Sequence, residues 1–197
     1  EVLAMASYPN YEPTLFIDGI STDNWNKYLN DSRKPLVNKA ISEQSAPGST
    51  FKMVTAIAGL ESGVIDANTK INDTGRYTEY KDYQPYCWLK SGHGWLNVTQ
   101  AIEHSCNYFF YETGRRAGID QIEKVATEFG LGQKTGIELP DEINGTLSSK
   151  KVDKEWTGGK TIQTAIGQLY NDFTPLQMAK YTAMIANGGK NLNISIV

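Results

Sequence analysis

From Phe51 to Leu60 the sequence reads as a helix with almost no polar side, because Phe51, Met53, Val54, Ala56, Ile57, Ala58 and Leu60 spread around it. A helix that is apolar on most sides belongs in the middle of a domain, covered by other elements. It follows Gln44-Ser45-Ala46-Pro47-Gly48-Ser49, a run of turn formers, and stops near Gly63. One residue breaks the pattern. Lys52 stands inside this helix, where an ammonium group is costly unless it is paired or neutral. The chain must therefore build its core around a helix that starts with a serine and a lysine three residues apart.

The rest of the sequence supplies that cover. Residues 1–8 read as a strand ended by Pro9, and Asp23–Leu29 as a short amphipathic helix. Residues 64–98 are polar, aromatic and rich in turns, and read as a long ordered loop with short strands. Thr99 suits the N-cap of a segment Gln100–His104. Helical spacing resumes at Tyr108, Phe109 and Tyr111 and ends near Gly118; Asp120 suits the cap of a helix burying Ile122, Val125, Ala126 and Phe129. A short strand is expected at Ile137-Glu138-Leu139. The last helix starts at Thr174-Pro175, with proline in a tolerated first-turn position, and ends at Asn187-Gly188-Gly189. The chain shows neither an internal repeat nor a low-complexity linker, so its 197 residues read as one domain fragment.

Composition excludes several classes. With 40% hydrophobic and 21% charged residues the chain is globular rather than disordered. A net charge of -3 argues against nucleic acid as a partner. No apolar run approaches the roughly 18 residues of a membrane span. The start on Val2-Leu3-Ala4-Met5-Ala6 and the finish on Asn193-Ile194-Ser195-Ile196-Val197, which reads as a strand just beginning, suggest an interior piece of a longer protein.

Two triplets carry chemistry. In Ser49-Thr50-Phe51-Lys52 the serine stands at a helix start, where the field of the helix N-terminus favours an oxyanion, and the lysine lies on the same face. A desolvated lysine loses basicity, and its neutral form can take the serine proton. In Ser105-Cys106-Asn107 a hydroxyl and an amide project from the break between two helices, suited to relaying a proton and holding an amide. Alone, each triplet also reads blandly: the first as an N-cap serine with a surface lysine, the second as a capping serine with a turn asparagine.

Together they resemble the penicillin-interacting enzymes, whose motifs include S-x-x-K and S-D-N. Pro47-Gly48-Ser49-Thr50-Phe51-Lys52 is similar to that family's whole nucleophile segment, and Glu1 to Pro9 to its opening strand. His93-Gly94-Trp95-Leu96-Asn97-Val98-Thr99 resembles the run before the second motif. Asn171-Asp172-Phe173-Thr174-Pro175-Leu176-Gln177-Met178-Ala179 resembles a late helix start. The opening strand and the Thr-Pro-Leu-Gln element favour the class B penicillin-binding proteins.

The resemblance implies an α+β fold like that of penicillin-binding proteins and serine β-lactamases, an antiparallel sheet with helices on both faces plus an all-helical region. It implies a peptidoglycan D,D-transpeptidase. Ser49 attacks the penultimate D-Ala carbonyl of a stem peptide, expels the terminal D-Ala, and passes the acyl group to a neighbouring amine. Lys52 is then the base, Ser105 the proton shuttle, Asn107 the substrate-amide ligand that also positions Lys52, and the Ser49 N–H part of the oxyanion hole. β-Lactams acylate Ser49 as mimics. No cofactor is required, a membrane glycan polymerase is the expected partner, and the site works on the extracytoplasmic face of the cell membrane, anchored by a segment outside this chain. A β-lactam-sensing receptor domain and a class D-like β-lactamase are the alternatives; Asn107 suits the transpeptidases better than class D.

Lys134-Thr135-Gly136 spells the family's third motif, yet its neighbours, Phe129-Gly130-Leu131-Gly132 and Ile137-Glu138-Leu139-Pro140, match a structural turn of the family. Residues 1–197 thus read as a partial transpeptidase domain that ends before the true third motif, with its C-terminal sheet strands absent. Without those strands the fragment is expected to fold poorly and to be nearly inactive. Gly167-Gln168-Leu169 departs from the family, which usually has a second glycine there.

The chain's only cysteines and histidines, Cys87, His93, His104 and Cys106, fall within twenty residues around the second triplet. Two thiols and two imidazoles suit tetrahedral zinc, here as a brace for the loop carrying Ser105 and Asn107. Asp82 is a substitute ligand. The spacing C-x5-H-x10-H-x-C matches no known finger, so a Cys87–Cys106 disulfide and unlinked buried residues stay open. The aromatic run from Tyr77 to Trp95 reads as a loop packed by its own rings before it reads as a sugar platform.

Overall fold

A computed structural model describes residues 1–81 and 83–196. The apolar segment forms a 3-10 turn, Gly48–Phe51, running into helix α3, Lys52–Glu61. Before it come α1, Thr22–Leu29, capped by Ser21, and α2, Lys39–Ser42, a single turn capped by Asn38. After it come β1, Ile71–Asp73, and β2, Gly94–Leu96, then α4, Val98–Glu103, α5, Asn107–Ala117, and α6, Ile119–Glu128. The chain closes with α7, Gly158–Thr164, and α8, Pro175–Ala186.

Helix α3 is central, as its composition requires. It packs on α4, α5 and α6, while α5 also packs on α7. Its Val54 and Ala58, with Phe51 of the preceding turn, meet Ile122, Val125 and Ala126 of α6, and Phe173 and Tyr181. On its other side Ala56 joins Ile71, Leu96, Ala101, Cys106, Phe109 and Phe110. Close crossing of α5 and α7 depends on Gly114, where a β-carbon would come within 2.4 Å of the Ala165 β-carbon.

The sheet within this chain is small. Strands β1 and β2 pair antiparallel, with Ile71 opposite Leu96 and Asp73 opposite Gly94. Residues 1–8, expected as a strand, form no strand among the described residues. Among the described residues Val2 N–H donates to Ser195 O at 2.8 Å, and Val2, Met5 and Ile194 lean on Ala40, Ile41, Ile137 and Leu176. The expected strand at 137–139 is likewise absent. Backbone pairing passes instead to Ile143 with Ile41 and to Thr146 with Asp172, and Ile137 is held by its side chain.

Two caps move. Asn97, not Thr99, caps α4, in a reciprocal box with Gln100. Gly118 precedes α6 without a side-chain cap, and Asp120 lies in its first turn, pairing with Lys150. Thr174 does cap α8, in a second reciprocal box with Gln177. Among the described residues no helix is long and apolar enough to cross a membrane.

Candidate active site

The Ser49 turn is pinned from the α7–α8 side. Gly48 N–H donates to Gly167 O at 3.0 Å, Tyr181 Oη donates to Thr50 O at 2.9 Å, and Ser45 and Phe173 exchange backbone hydrogen bonds. Gly167 has φ +75°, and a β-carbon there would fall 2.2 Å from Gly48 O, so only glycine lets the two segments meet. Leu169, where the family usually has a glycine, holds φ +70°. The glycine-type backbone is kept with a side chain on it, a strain of about 1–2 kcal/mol.

Beneath the exposed Ser49, Lys52 is buried, with 3% of its surface exposed. Its Nζ donates to Ser105 O at 2.8 Å, Ser105 Oγ at 3.1 Å and Asn107 Oδ1 at 2.6 Å. Ser105 Oγ lies 2.9 Å from Ser49 Oγ. The Ser105 hydroxyl therefore stands between the Ser49 hydroxyl and the Lys52 amine. Burial pulls the Lys52 ammonium down to about 8, against a partial rise from the thiols of Cys106 and Cys87. Roughly one molecule in ten then carries a neutral amine at pH 7.

The second triplet is presented by a sharp break between α4 and α5. Ser105 has φ +49°, a left-handed conformation unusual for a side-chain-bearing residue. It turns the chain so that Cys106 can cap α5, its Sγ accepting from Phe109 N–H at 3.3 Å, and Asn107 can begin that helix. Strain of this kind concentrates at working sites. All four residues singled out for catalysis, Ser49, Lys52, Ser105 and Asn107, are thus brought together.

Behind the junction lies a second polar cluster. Ligand atoms of Asp73, Cys87, His93 and Cys106 all fall within 4.8 Å of one another. Asp73 Oδ2 is 2.6 Å from His93 Nδ1 and 3.2 Å from Cys106 Sγ; Cys87 Sγ is 3.6 Å from His93 Nδ1 and 4.0 Å from Cys106 Sγ. Burial raises the Asp73 carboxyl, but bonds from His93, Gly75 N–H and the thiols hold it below its usual range. The hydrogen bond the two buried thiols share lowers the Cys87 thiol and raises its Cys106 partner. The expected set differs by one member. His104 is exposed and only stacks on His93, ring centroids 5.8 Å apart. Asp73 takes its place, because the β1–β2 pairing sets the end of β1 beside the His93-Gly94 turn. Asp82 lies outside the described residues. Two sulfurs, one imidazole nitrogen and one carboxylate oxygen at this spacing suit a tetrahedral ion with bonds of about 2.0–2.3 Å.

Sequence reading missed Asp73 because a turn aspartate two residues before a glycine normally only caps the turn, and Asp73 does that too, accepting from Gly75 N–H at 2.7 Å. It also passed over Trp88, whose Nε1 donates to His104 O at 3.0 Å, one residue before Ser105.

The penicillin binding protein transpeptidase domain model matches residues 1–197. The chain belongs to the penicillin-binding protein transpeptidase family. Peptidoglycan D,D-transpeptidase MrdA of Escherichia coli (strain K12) is 40% identical over 199 residues, covering 95% of this chain and 31% of that protein. The crystal structure of Pseudomonas aeruginosa PBP2 in complex with WCK 5153 superposes with a TM-score of 0.93 at 34% identity, over 99% of this chain and 46% of that one. PBP2 of Helicobacter pylori, solved in complex with MreC, gives a TM-score of 0.90 at 36% identity, over 96% of this chain and 36% of that one. The chain thus spans about a third of the E. coli transpeptidase and under half of the P. aeruginosa chain. Its fold is the α+β fold of the penicillin-binding protein domain, and the class B relatives agree with the opening and Thr-Pro-Leu-Gln segments. Lys134-Thr135-Gly136 is engaged elsewhere in this family member: Thr135 N–H and Oγ1, and Gly136 N–H, all donate to the buried Glu142 carboxylate at 2.6 to 3.2 Å.

Proposed function

We propose that this chain provides the acylation machinery of a peptidoglycan D,D-transpeptidase with Ser49 as nucleophile and β-lactams as inhibitors. The observation that carries this reading is the chain of contacts from Ser49 Oγ through Ser105 Oγ to Lys52 Nζ, at 2.9 and 3.1 Å. With Lys52 neutral, the Ser49 proton passes through Ser105 to the amine as Ser49 Oγ attacks the penultimate D-Ala carbonyl of a stem peptide. The same relay run backwards protonates the departing D-Ala amine. A neighbouring stem amine then resolves the acyl-enzyme by the equivalent path, which makes the cross-link. Asn107 Oδ1 fixes Lys52, leaving its Nδ2 free to hold a substrate carbonyl, and the Ser49 N–H stabilises the oxyanion.

On this reading the carboxylate-binding triplet and the second oxyanion donor come from outside residues 1–197, since Lys134-Thr135-Gly136 is committed to Glu142. The site works outside the cytoplasmic membrane beside a membrane glycan polymerase. The chemistry needs no cofactor. A structural zinc held by Asp73, Cys87, His93 and Cys106 would tie β1, the 87–93 loop and the α4–α5 junction into one unit, and would supply bracing only.

Intact-protein mass spectrometry of the full-length protein incubated with a penicillin tests the assignment. One adduct is expected, stable for hours and absent in Ser49→Ala. An adduct that survives in Ser49→Ala, or none on a folded protein, removes Ser49 as nucleophile; an adduct that hydrolyses within seconds points to a β-lactamase.

A further inference from the structure

The relay residues come from the start of α3 and from the α4–α5 break, and a third segment borders the same nucleophile. Between α7 and α8 the chain runs as a strap, Gly167-Gln168-Leu169-Tyr170, against the turn that carries Ser49. At one end Gly167 O accepts from Gly48 N–H at 3.0 Å, and Gly167 N–H donates to Thr164 O at 2.8 Å. At the other end Tyr170 N–H donates to Ser148 Oγ at 3.1 Å, and its Oη to Asp153 Oδ2 at 2.8 Å. The next residue, Asn171, is fully buried, accepting from Ser148 N–H at 3.0 Å and donating to Thr164 O at 3.3 Å.

Gln168 is what this strap presents. It is exposed, and among the described residues its side-chain amide makes no hydrogen bond. A free glutamine is ordinary on a loose loop, where ordering it for a ligand costs rotamer and backbone entropy. This backbone is already ordered. Gln168 N–H donates to Gln163 O at 3.1 Å, and left-handed residues flank it, Gly167 at φ +75° and Leu169 at φ +70°. Its Nε2 stands 3.8 Å from the point where a β-carbon on Gly48 would lie. The amide thus occupies the side-chain space of the residue before Ser49, on a strap that holds strain at Leu169 to keep its course.

We propose that Gln168 is a substrate-binding residue of the Ser49 site, its Nε2 donating to a backbone carbonyl of the peptide that Ser49 attacks. The ligand chemistry is that of a peptide chain. Asn107 has its Oδ1 committed to Lys52 at 2.6 Å, and its Nδ2 serves one substrate carbonyl. A penicillin carries one side-chain amide. A stem peptide carries several in a row, spaced about 3.3–3.6 Å per residue when extended. A second neutral amide, brought by a different segment, takes a second carbonyl and holds the peptide in one orientation where a single contact lets it swing. The proposal rests on the Ser49 reading and adds to it the length of substrate that the site grips.

The test uses the full-length protein with two probes: D-Ala release from a stem pentapeptide ending in D-Ala-D-Ala, and acylation by a penicillin. Gln168→Met keeps the length of the side chain without its amide; Gln168→Glu keeps the length and an acceptor but no donor. In both, kcat/KM for the peptide is expected to fall roughly 3–10-fold further than penicillin acylation, the size of one neutral hydrogen bond, with the loss carried by KM. The melting temperature should stay within about 2 °C, since the side chain holds no other part of the protein. Equal losses on both probes, or a fall in kcat at constant KM, would show a disturbed Ser49 turn and overturn the proposal. An unmoved peptide KM in Gln168→Met overturns it too, and so does an unmoved KM in Gln168→Glu, which would make the group an acceptor. If the unmodified protein forms no penicillin adduct, the Ser49 reading falls instead. Calorimetry of the pentapeptide with Ser49→Ala, alone and combined with Gln168→Met, then decides the contact: a Kd weakened ~3–10-fold supports it, and an equal Kd overturns it.

Discussion

Two buried polar clusters meet at residues 105–107 and are built on opposite electrostatic plans. Around Lys52, one cation meets three oxygen acceptors, none of them a carboxylate. Around Asp73, a carboxylate, two thiols and an imidazole crowd together. An unpaired buried cation lowers its cost by giving up its proton, which makes it a base. A crowd of anionic donors lowers its cost by sharing protons or by taking a metal. The same burial thus yields a reactive site in one cluster and a brace in the other, and the α4–α5 break belongs to both.

The sharpest way to break this contrast is to remove the cation. Lys52→Met is expected to reduce Ser49 acylation by ~10²–10⁴-fold, the usual contribution of a positioned base, with the fold intact by circular dichroism. A loss below tenfold would mean that another group takes the proton. In the unmodified protein the acylation rate should rise with pH and level off above a midpoint near 8, where burial has placed Lys52. The sign follows from the lowered value, because the neutral amine gains population as pH climbs. Asn107→Asp places an anion where Oδ1 now accepts at 2.6 Å and should move that midpoint upward. A midpoint that stays or falls would deny the contact its role.

The anionic cluster is probed by choosing between His104 and Asp73. Zinc analysis of the purified protein is expected to give one ion per chain, with Asp73→Ala losing it and His104→Ala keeping it. A chelator should lower the melting temperature by about 5 °C, as expected for a loss near 2 kcal/mol in a chain of this size. Metal lost in His104→Ala but kept in Asp73→Ala would restore the set expected from sequence alone.

That exchange of one ligand marks how far sequence reading reaches. Ser49 and Lys52 were legible because a lysine inside Phe51–Leu60 contradicts the pattern around it. Ser105 and Asn107 were legible only beside them, since a serine and an asparagine in a helix break are ordinary. The helices α3, α5, α6 and α8 carried their period in the sequence, and α8 also its cap, Thr174. Helices α2 and α7 did not, being one or two turns rich in glycine or polar residues. Asp73 was hidden because its partners come from 14 to 33 residues away, and only the β1–β2 register brings them together. The strand expected at 137–139 failed for the same reason: pairing is a property of two segments, and the backbone bonds there go to Ile143 and to an isolated bridge at Thr146.

The smallest expected effect is the most informative about the third motif. Lys134-Thr135-Gly136 has the letters of a catalytic triplet, but its Lys134 is exposed while its hydroxyl and backbone donors are spent on Glu142. Lys134→Ala should leave acylation unchanged and stability within about 0.5 kcal/mol, as for other surface positions. Thr135→Ala removes a 2.6 Å bond to a buried carboxylate and should cost about 1–3 kcal/mol, again without touching the acylation rate. Stability would then respond to Thr135 and not to Lys134, and activity to neither. A motif that acts in catalysis gives the reverse order, with the lysine mattering most, so a fall in acylation for Lys134→Ala would move this turn into the site.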